Sequence, residues 1–130
     1  KRYLDNIRTV AAEQGYVETL LGRRRYFPAL KSATNKNLRN REEREAINAP
    51  IQGTAADIMK IAMLKVFKAL PEAGLHGKML LQVHDEVIVE CPQKELDDTI
   101  SVVTQAMEEA YSLDIPLSTE ARSGRTWGEL

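Results

Sequence analysis

Three ionisable side chains, His84, Asp85 and Glu86, interrupt the most strand-like run of the chain, "MLLQVHDEVIVE" over residues 79–90. "KMLLQV" and "VIVE" are each about the length of a strand, so the three residues between them read as the tip of a tight hairpin. An Asn-Gly or Gly-Gly pair would turn the chain with less strain, so charge at this tip asks for a purpose. A hard divalent cation such as Mg²⁺ takes carboxylate oxygens at about 2.0–2.1 Å and keeps waters or substrate phosphates as other ligands, so one carboxylate on a rigid tip can serve it. Neighbouring strand residues point to opposite faces, so one of Asp85 and Glu86 should lead. Two-metal phosphoryl transfer holds its ions about 3.5–4 Å apart and needs a second acid from another segment. None of Glu18, Glu90 and Glu120 stands in a comparable apolar strand. On this chain alone the metal site is half-built. The alternative is that Asp85 and Glu86 solvate a turn.

A second constellation is Arg44, Asn48 and Gln52, which recur at i, i+4 and i+8 and share one helix face if the helix is only mildly bent. All three carry donors. In a DNA minor groove they could meet the acceptors common to all base pairs, sensing correct pairing rather than sequence. A solvated polar face is the plainer reading. The charge distribution favours a polyanion: residues 1–52 carry +5 and residues 53–130 carry −6, within a net charge of −1. Eight basic residues fall between Gly22 and Arg44, namely Arg23, Arg24, Arg25, Lys31, Lys36, Arg39, Arg41 and Arg44, against Glu42 and Glu43. Cations in such a segment would meet phosphates and make binding salt-dependent.

These groups need rigid elements behind them. Leu4, Ile7, Val10 and Ala11 have helical spacing, and Gly15 follows Gln14 where a helix C-terminus wants glycine, which predicts a helix over residues 1–14. "YVETL" and "RRYFP" flank Leu21-Gly22-Arg23 and predict a hairpin with a basic tip, closed by Pro28. "ALKSATNKNLRN" reads as a loop, with Asn40 capping the next helix. That helix runs from Arg41 to Leu70, and Pro50 predicts a kink or short break near Ala49-Pro50, at a cost of about 3 kcal/mol in a straight helix. Asp57, Lys60, Lys65 and Lys68 mark a narrow polar stripe, while Ile58, Met59, Ile61, Ala62, Met63, Leu64, Val66 and Phe67 cover the rest, so burial on most sides is expected. After the hairpin, Pro92 opens a helix carrying Leu96, Ile100, Val103, Met107 and Ala110 and ending near Leu113. "IPLSTEARS" alternates like a half-buried strand. The expected fold is α+β: an antiparallel sheet of hairpins plus a C-terminal strand, with long helices packed on it.

With 130 residues and 43% hydrophobic content, one domain over 1–130 is expected. No run reaches the roughly 20 apolar residues of a membrane helix, and "KRYLDNIRTV" lacks the apolar stretch of a signal peptide, so a cytoplasmic location is expected. The single cysteine, Cys91, cannot form an internal disulfide. The first residue is not Met and the opening reads as mid-helix, the mark of a fragment of something longer.

"GYVETLLGRRRYFP", "INAPIQGTAADIMK", "LLQVHDEV" and the closing "WGEL" resemble the C-terminal palm segment of the A-family DNA polymerases, the family of bacterial DNA polymerase I. The resemblance covers nearly the whole chain. It implies that "VHDE" is the metal-binding palm hairpin, with Asp85 the Mg²⁺-binding catalytic aspartate, Glu86 an auxiliary acid near the two metals and His84 a contact to the primer terminus. Arg44, Asn48 and Gln52, with Arg23, Arg24 and Arg25, would touch the primer–template DNA. The resemblance also implies a dNTP substrate, DNA replication and repair as the setting, and a nucleoid-associated place in the bacterial cytoplasm. The family's other catalytic aspartate and its nucleotide-binding fingers helix lie upstream of anything in this sequence. The chain is then a fragment of the polymerase domain, palm with the adjoining base of the fingers, inactive alone and dependent on the missing upstream polymerase segment. Rival readings are a metal-dependent nuclease and a non-catalytic duplex-binding module.

Overall fold

The computed structural model describes residues 2–32, 35–113 and 117–130, the side chains of residues 31 and 32 excepted. The described chain divides into two compact units, Lys1–Asp57 and Ile58–Leu130.

The first unit begins with helix α1 (Arg2–Gln14), which ends where the sequence predicts. Gly15 adopts φ +79°, and its N–H donates to the Ala11 carbonyl (2.9 Å), closing the last turn in the left-handed conformation that glycine tolerates best. Strands β1 (Tyr16–Glu18) and β2 (Arg24–Tyr26) then pair antiparallel, with Val17 opposite Arg25. The predicted loop after Pro28 is partly helical instead. A short helix α2 (Ala29–Ser32) forms, and helix α3 (Lys36–Glu72) starts several residues before the predicted Arg41. Its cap is Asn35, not Asn40: the Asn35 Oδ1 accepts from the N–H groups of Asn37 (2.9 Å) and Leu38 (3.4 Å), donors that the first helical turn leaves without partners. The core of this unit joins Ala11, Val17, Phe27, Leu30, Ala46 and Ala49, with Ile7 against it.

Helix α3 continues through Pro50 without the expected break. Proline removes the bond to the Ala46 carbonyl, but Ala46 and Ala49 are both buried in the core just described, and that packing holds the helix across the missing rung.

In the second unit α3 buries Ala62, Val66 and Leu70, an i, i+4, i+8 stripe. The expectation of burial on most sides is corrected here: Leu64 is 70% and Phe67 71% exposed, because the unit packs only one face of the helix. Strands β3 (Lys78–Val83) and β4 (Glu86–Glu90) form the second antiparallel hairpin, followed by a 3₁₀ turn (Gln93–Glu95) and helix α4 (Leu96–Glu108). Helix α4 stops short of Leu113. Glutamates 108 and 109 oppose the negative helix C-terminus, and Glu108 instead accepts the Thr119 N–H (3.0 Å), while the Lys65 ammonium donates to the Glu109 carbonyl (2.7 Å).

The α+β class and the antiparallel hairpins are as expected, but the single sheet is not. Among the described residues β1–β2 and β3–β4 are separate two-stranded ladders. Of the predicted C-terminal strand, residues 114–116 lie outside the described residues, and residues 117–121 carry no strand. Leu117 and Thr119 are half-buried and Ser118 and Glu120 exposed, so the alternation is real while the ladder partner is absent among the described residues. A two-stranded hairpin is marginal alone in water, and each ladder here leans on helices.

Candidate active-site hairpin and nucleic-acid interface

The β3–β4 hairpin is built from a packed base to a charged tip. At the base, Met79 and Val89 sit opposite each other and pack with Val66, Leu70, Ala106, Val102, Val103 and Met107. Leu80 then bulges out of the ladder, since the register shifts by one residue between Met79 and Leu81. A bulge bends and twists the strand that carries it, and it puts Leu81 opposite Ile88 and Val83 opposite Glu86. His76 ties the loop before β3 to the turn after β4: its N–H donates to Glu95 Oε2 (3.0 Å), and its Nδ1 lies 2.7 Å from Glu95 Oε1. The His76 ring, and then its backbone N–H, hold the Glu95 carboxyl below the ordinary glutamate range.

The tip is tighter than the sequence suggests. Only His84 and Asp85 form the turn; Glu86 is the first residue of β4, correcting the three-residue tip. His84 takes φ 53°, a conformation costly for a side chain with a Cβ, and its carbonyl accepts from the Gln82 side-chain amide. His84, Asp85 and Glu86 are all exposed, above half-buried Val87, Ile88 and Val89. Asp85 in the turn and Glu86 on the strand are two hard oxygen donors of the kind Mg²⁺ takes, fewer than its six ligand positions need. Among the described residues no group of three or more His, Cys, Asp or Glu gathers in a metal-binding cluster.

Arg44, Asn48 and Gln52 belong to the other unit. All three are exposed on α3, spread over about 12 Å of its axis. Ala46 and Ala49, on the face turned to the core, fix the rotation of the helix. Among the described residues Arg39 and Arg44 have no carboxylate partner, which leaves their charge unneutralised. The three arginines of the hairpin differ from this, because each has an acid. Arg23 pairs with Asp57 (2.9 Å), Arg24 with Glu18 (2.9 Å) and Arg25 with Glu45 (3.3 Å). Arg24 also lies over the Tyr16 ring (4.4 Å), which is tilted against Tyr26, and bonds to Tyr26 and then to Glu18 push its guanidinium above the ordinary arginine value.

Sequence reasoning missed Asp57. It stood in the polar stripe of α3, yet it is 7% exposed and accepts from Thr19 Oγ1 (2.6 Å) as well as from Arg23. The available signal was the run of small residues before it, "GTAAD", which lets another segment approach the helix closely.

A sequence profile of DNA polymerase family A matches residues 1–129. DNA polymerase I of Caldicellulosiruptor bescii is 49% identical over 129 residues and that of Streptococcus pneumoniae 50%, each across 99% of this chain and 15% of the relative. The chain therefore spans about 15% of the length of these curated relatives. The thermostable DNA polymerase I of Thermus filiformis is 51% identical over 116 residues, which cover 89% of this chain and 14% of that protein. Among solved structures, the POL domain of Pol1 from M. smegmatis, in complex with DNA primer-template and dNTP, matches with a TM-score of 0.84 and 47% identity, over 90% of this chain and 20% of that one. With the profile and these identities both running almost end to end, the chain belongs to DNA polymerase family A.

Proposed function

We propose that the chain is the palm segment, with the adjoining base of the fingers, of a DNA-directed DNA polymerase, one domain's part of a longer polypeptide. In the reaction the primer 3′-hydroxyl attacks the α-phosphate of a deoxynucleoside triphosphate and pyrophosphate leaves. The observation that carries this is the hairpin itself, with Asp85 exposed on a two-residue tip whose base is packed, in a chain about half identical to bacterial DNA polymerase I.

Asp85 and Glu86 would hold Mg²⁺, Asp85 leading, with the remaining ligands coming from water, substrate phosphates and an aspartate of the upstream segment. Bound there, the metal supplies a lowered pKa for the attacking hydroxyl and neutralisation of developing phosphate charge. The chain's own work is positional. The bulged, helix-backed strands would hold Asp85 in place, and His84, beside it in the two-residue turn, would serve the primer terminus. Asn48 and Gln52 donate to minor-groove acceptors of the primer–template, with Arg44 and Arg39 supplying charge for phosphates. Arg24 and Arg25 contribute charge to the same strand path. Arg23, engaged by Asp57, acts within the protein. Replication and repair in the bacterial cytoplasm is the setting that follows from this reading. No helix among the described residues is long and apolar enough to cross a membrane.

The test is Asp85→Ala in the full-length polypeptide. Primer extension should fall by at least about 10³-fold, of the order expected when a transition-state charge loses its stabilising group, while the primer–template Kd stays within about threefold. Near-normal extension would sink the assignment. Two carboxylates being fewer than a two-metal site uses, the 130-residue segment alone should bind duplex without extending a primer. Adding the upstream polymerase segment should restore extension. Release of nucleotides without incorporation would favour the nuclease reading instead.

A further inference from the structure

A polar network at the tip of the β1–β2 hairpin joins Arg23 to residues outside both sets above. Asp57 receives the Thr19 hydroxyl on Oδ2 (2.6 Å) and Arg23 Nε on Oδ1 (2.9 Å). The Arg23 backbone N–H donates to Thr19 Oγ1 (3.1 Å), and its Nη2 reaches the Gly53 carbonyl (3.3 Å). The Leu20 N–H donates to Thr54 Oγ1 (2.9 Å). One guanidinium therefore spans a full turn of α3, from Gly53 to Asp57, and reads its rotation. The approach is as close as backbone allows: a Cβ on Gly53 would stand 2.6 Å from Thr19 Cγ2. The Thr19 hydroxyl donates to Asp57 and accepts from the Arg23 N–H, so moving its methyl aside would disturb both bonds.

Stability alone is a weak account of such a network. With the Arg23 side chain half exposed, the pair contributes little by itself, as partly solvated ion pairs generally do. Its location gives a better one. Pro50 stands between Asn48 and Gln52 and deletes the helical bond to the Ala46 carbonyl. Upstream of that gap α3 is fixed by Ala46 and Ala49; downstream, Gly53, Thr54 and Asp57 are fixed by the hairpin tip.

We infer that Thr19, Arg23, Gly53 and Asp57 form a clasp that holds Gln52 in register with Asn48 across Pro50, making them positioning residues for mismatch sensing. This rests on the duplex contacts proposed above.

The experiment measures extension from matched and mismatched primer termini by the full-length polypeptide, with thermal midpoints taken alongside. Gln52→Ala is the reference and should lower the matched-to-mismatched ratio. Gly53→Ala improves helix propensity but sets a Cβ 2.6 Å from Thr19 Cγ2, so a purely structural role predicts a lower midpoint with the ratio unchanged. The clasp predicts that the ratio itself falls about tenfold, the scale expected of a misplacement under 1 Å. Thr19→Ser added to Gly53→Ala removes the colliding methyl, keeps the hydroxyl on Asp57, and should restore the ratio to within about twofold of the parent, as coupled neighbours do. Should Gly53→Ala fail to fold, Arg23→Lys serves: its single ammonium cannot bridge Asp57 and the Gly53 carbonyl together, and the ratio should fall. A lowered ratio in Gln52→Ala, but not in Gly53→Ala or Arg23→Lys, overturns the clasp and leaves the function standing. Failure of the double variant to recover also overturns it. An unchanged ratio in Gln52→Ala removes the duplex reading and the clasp with it.

Discussion

Replacing Val66 by alanine should loosen the candidate active-site hairpin without touching it. Val66 is fully buried and lies in one cluster with Leu70, Ala106, Met79 and Val89, so it supports the base of β3–β4 from the helix side. The substitution removes two carbons, about 1.6 kcal/mol of transfer free energy, and the unfilled cavity raises the cost to about 2–3 kcal/mol. With a factor of ten for each 1.4 kcal/mol, opening of the base becomes roughly 30–140 times more frequent. Amide hydrogen exchange measured residue by residue reads this directly. The N–H groups of β3 and β4 should exchange faster by that factor, while those of β1, β2 and α1 in the first unit change little. Less than about threefold acceleration in β3–β4, or equal acceleration in β1–β2, would refute the claim that helix packing holds the tip.

Glu95 gives a pH signature. Its folded carboxyl titrates below the ordinary glutamate value of 4.5 because His76 bonds to the charged form. The stabilisation is therefore complete above the unfolded value and is lost as pH falls through the folded one. Urea midpoints taken from about pH 6 to about pH 3 should show that loss in the parent and a shallower decline in Glu95→Gln; parallel curves would dismiss the pair. Gly15→Ala tests the end of α1. Nothing lies within 4 Å of the Cβ it would add, so the cost is conformational alone, about 1–2 kcal/mol for a left-handed residue, seen as a lower thermal midpoint. A midpoint that holds or rises would mean that the chain end of α1 reshapes freely.

Much of the site was legible because it is local. The apolar, strand-like character of "MLLQVHDEVIVE" and the shortness of its interruption placed Asp85 on a hairpin tip, and the spacing of Arg44, Asn48 and Gln52 placed them on one helix. What was misread involved partners distant in sequence. Glu86 was assigned to the turn because its charge interrupts the apolar run, whereas the two-residue turn at His84 and Asp85 pairs it with Val83 in the ladder. Arg23, Arg24 and Arg25 read as free cations until Asp57, Glu18 and Glu45 came within reach of them. Pro50 predicted a kink or short break because propensity is a statement about an isolated segment; the helix runs on without a break, since burial of Ala46 and Ala49 outweighs one lost bond.

The sequence by itself determined which residues are periodic, which are charged and which family motif they spell, since those properties live within a few residues of one another. Only tertiary structure decided which acid meets which arginine, that Asn35 rather than Asn40 starts the long helix, and that Leu64 and Phe67 face outward. The reason is that a side chain's energy depends on the dielectric and the partners around it, and those are set by segments the local pattern never sees.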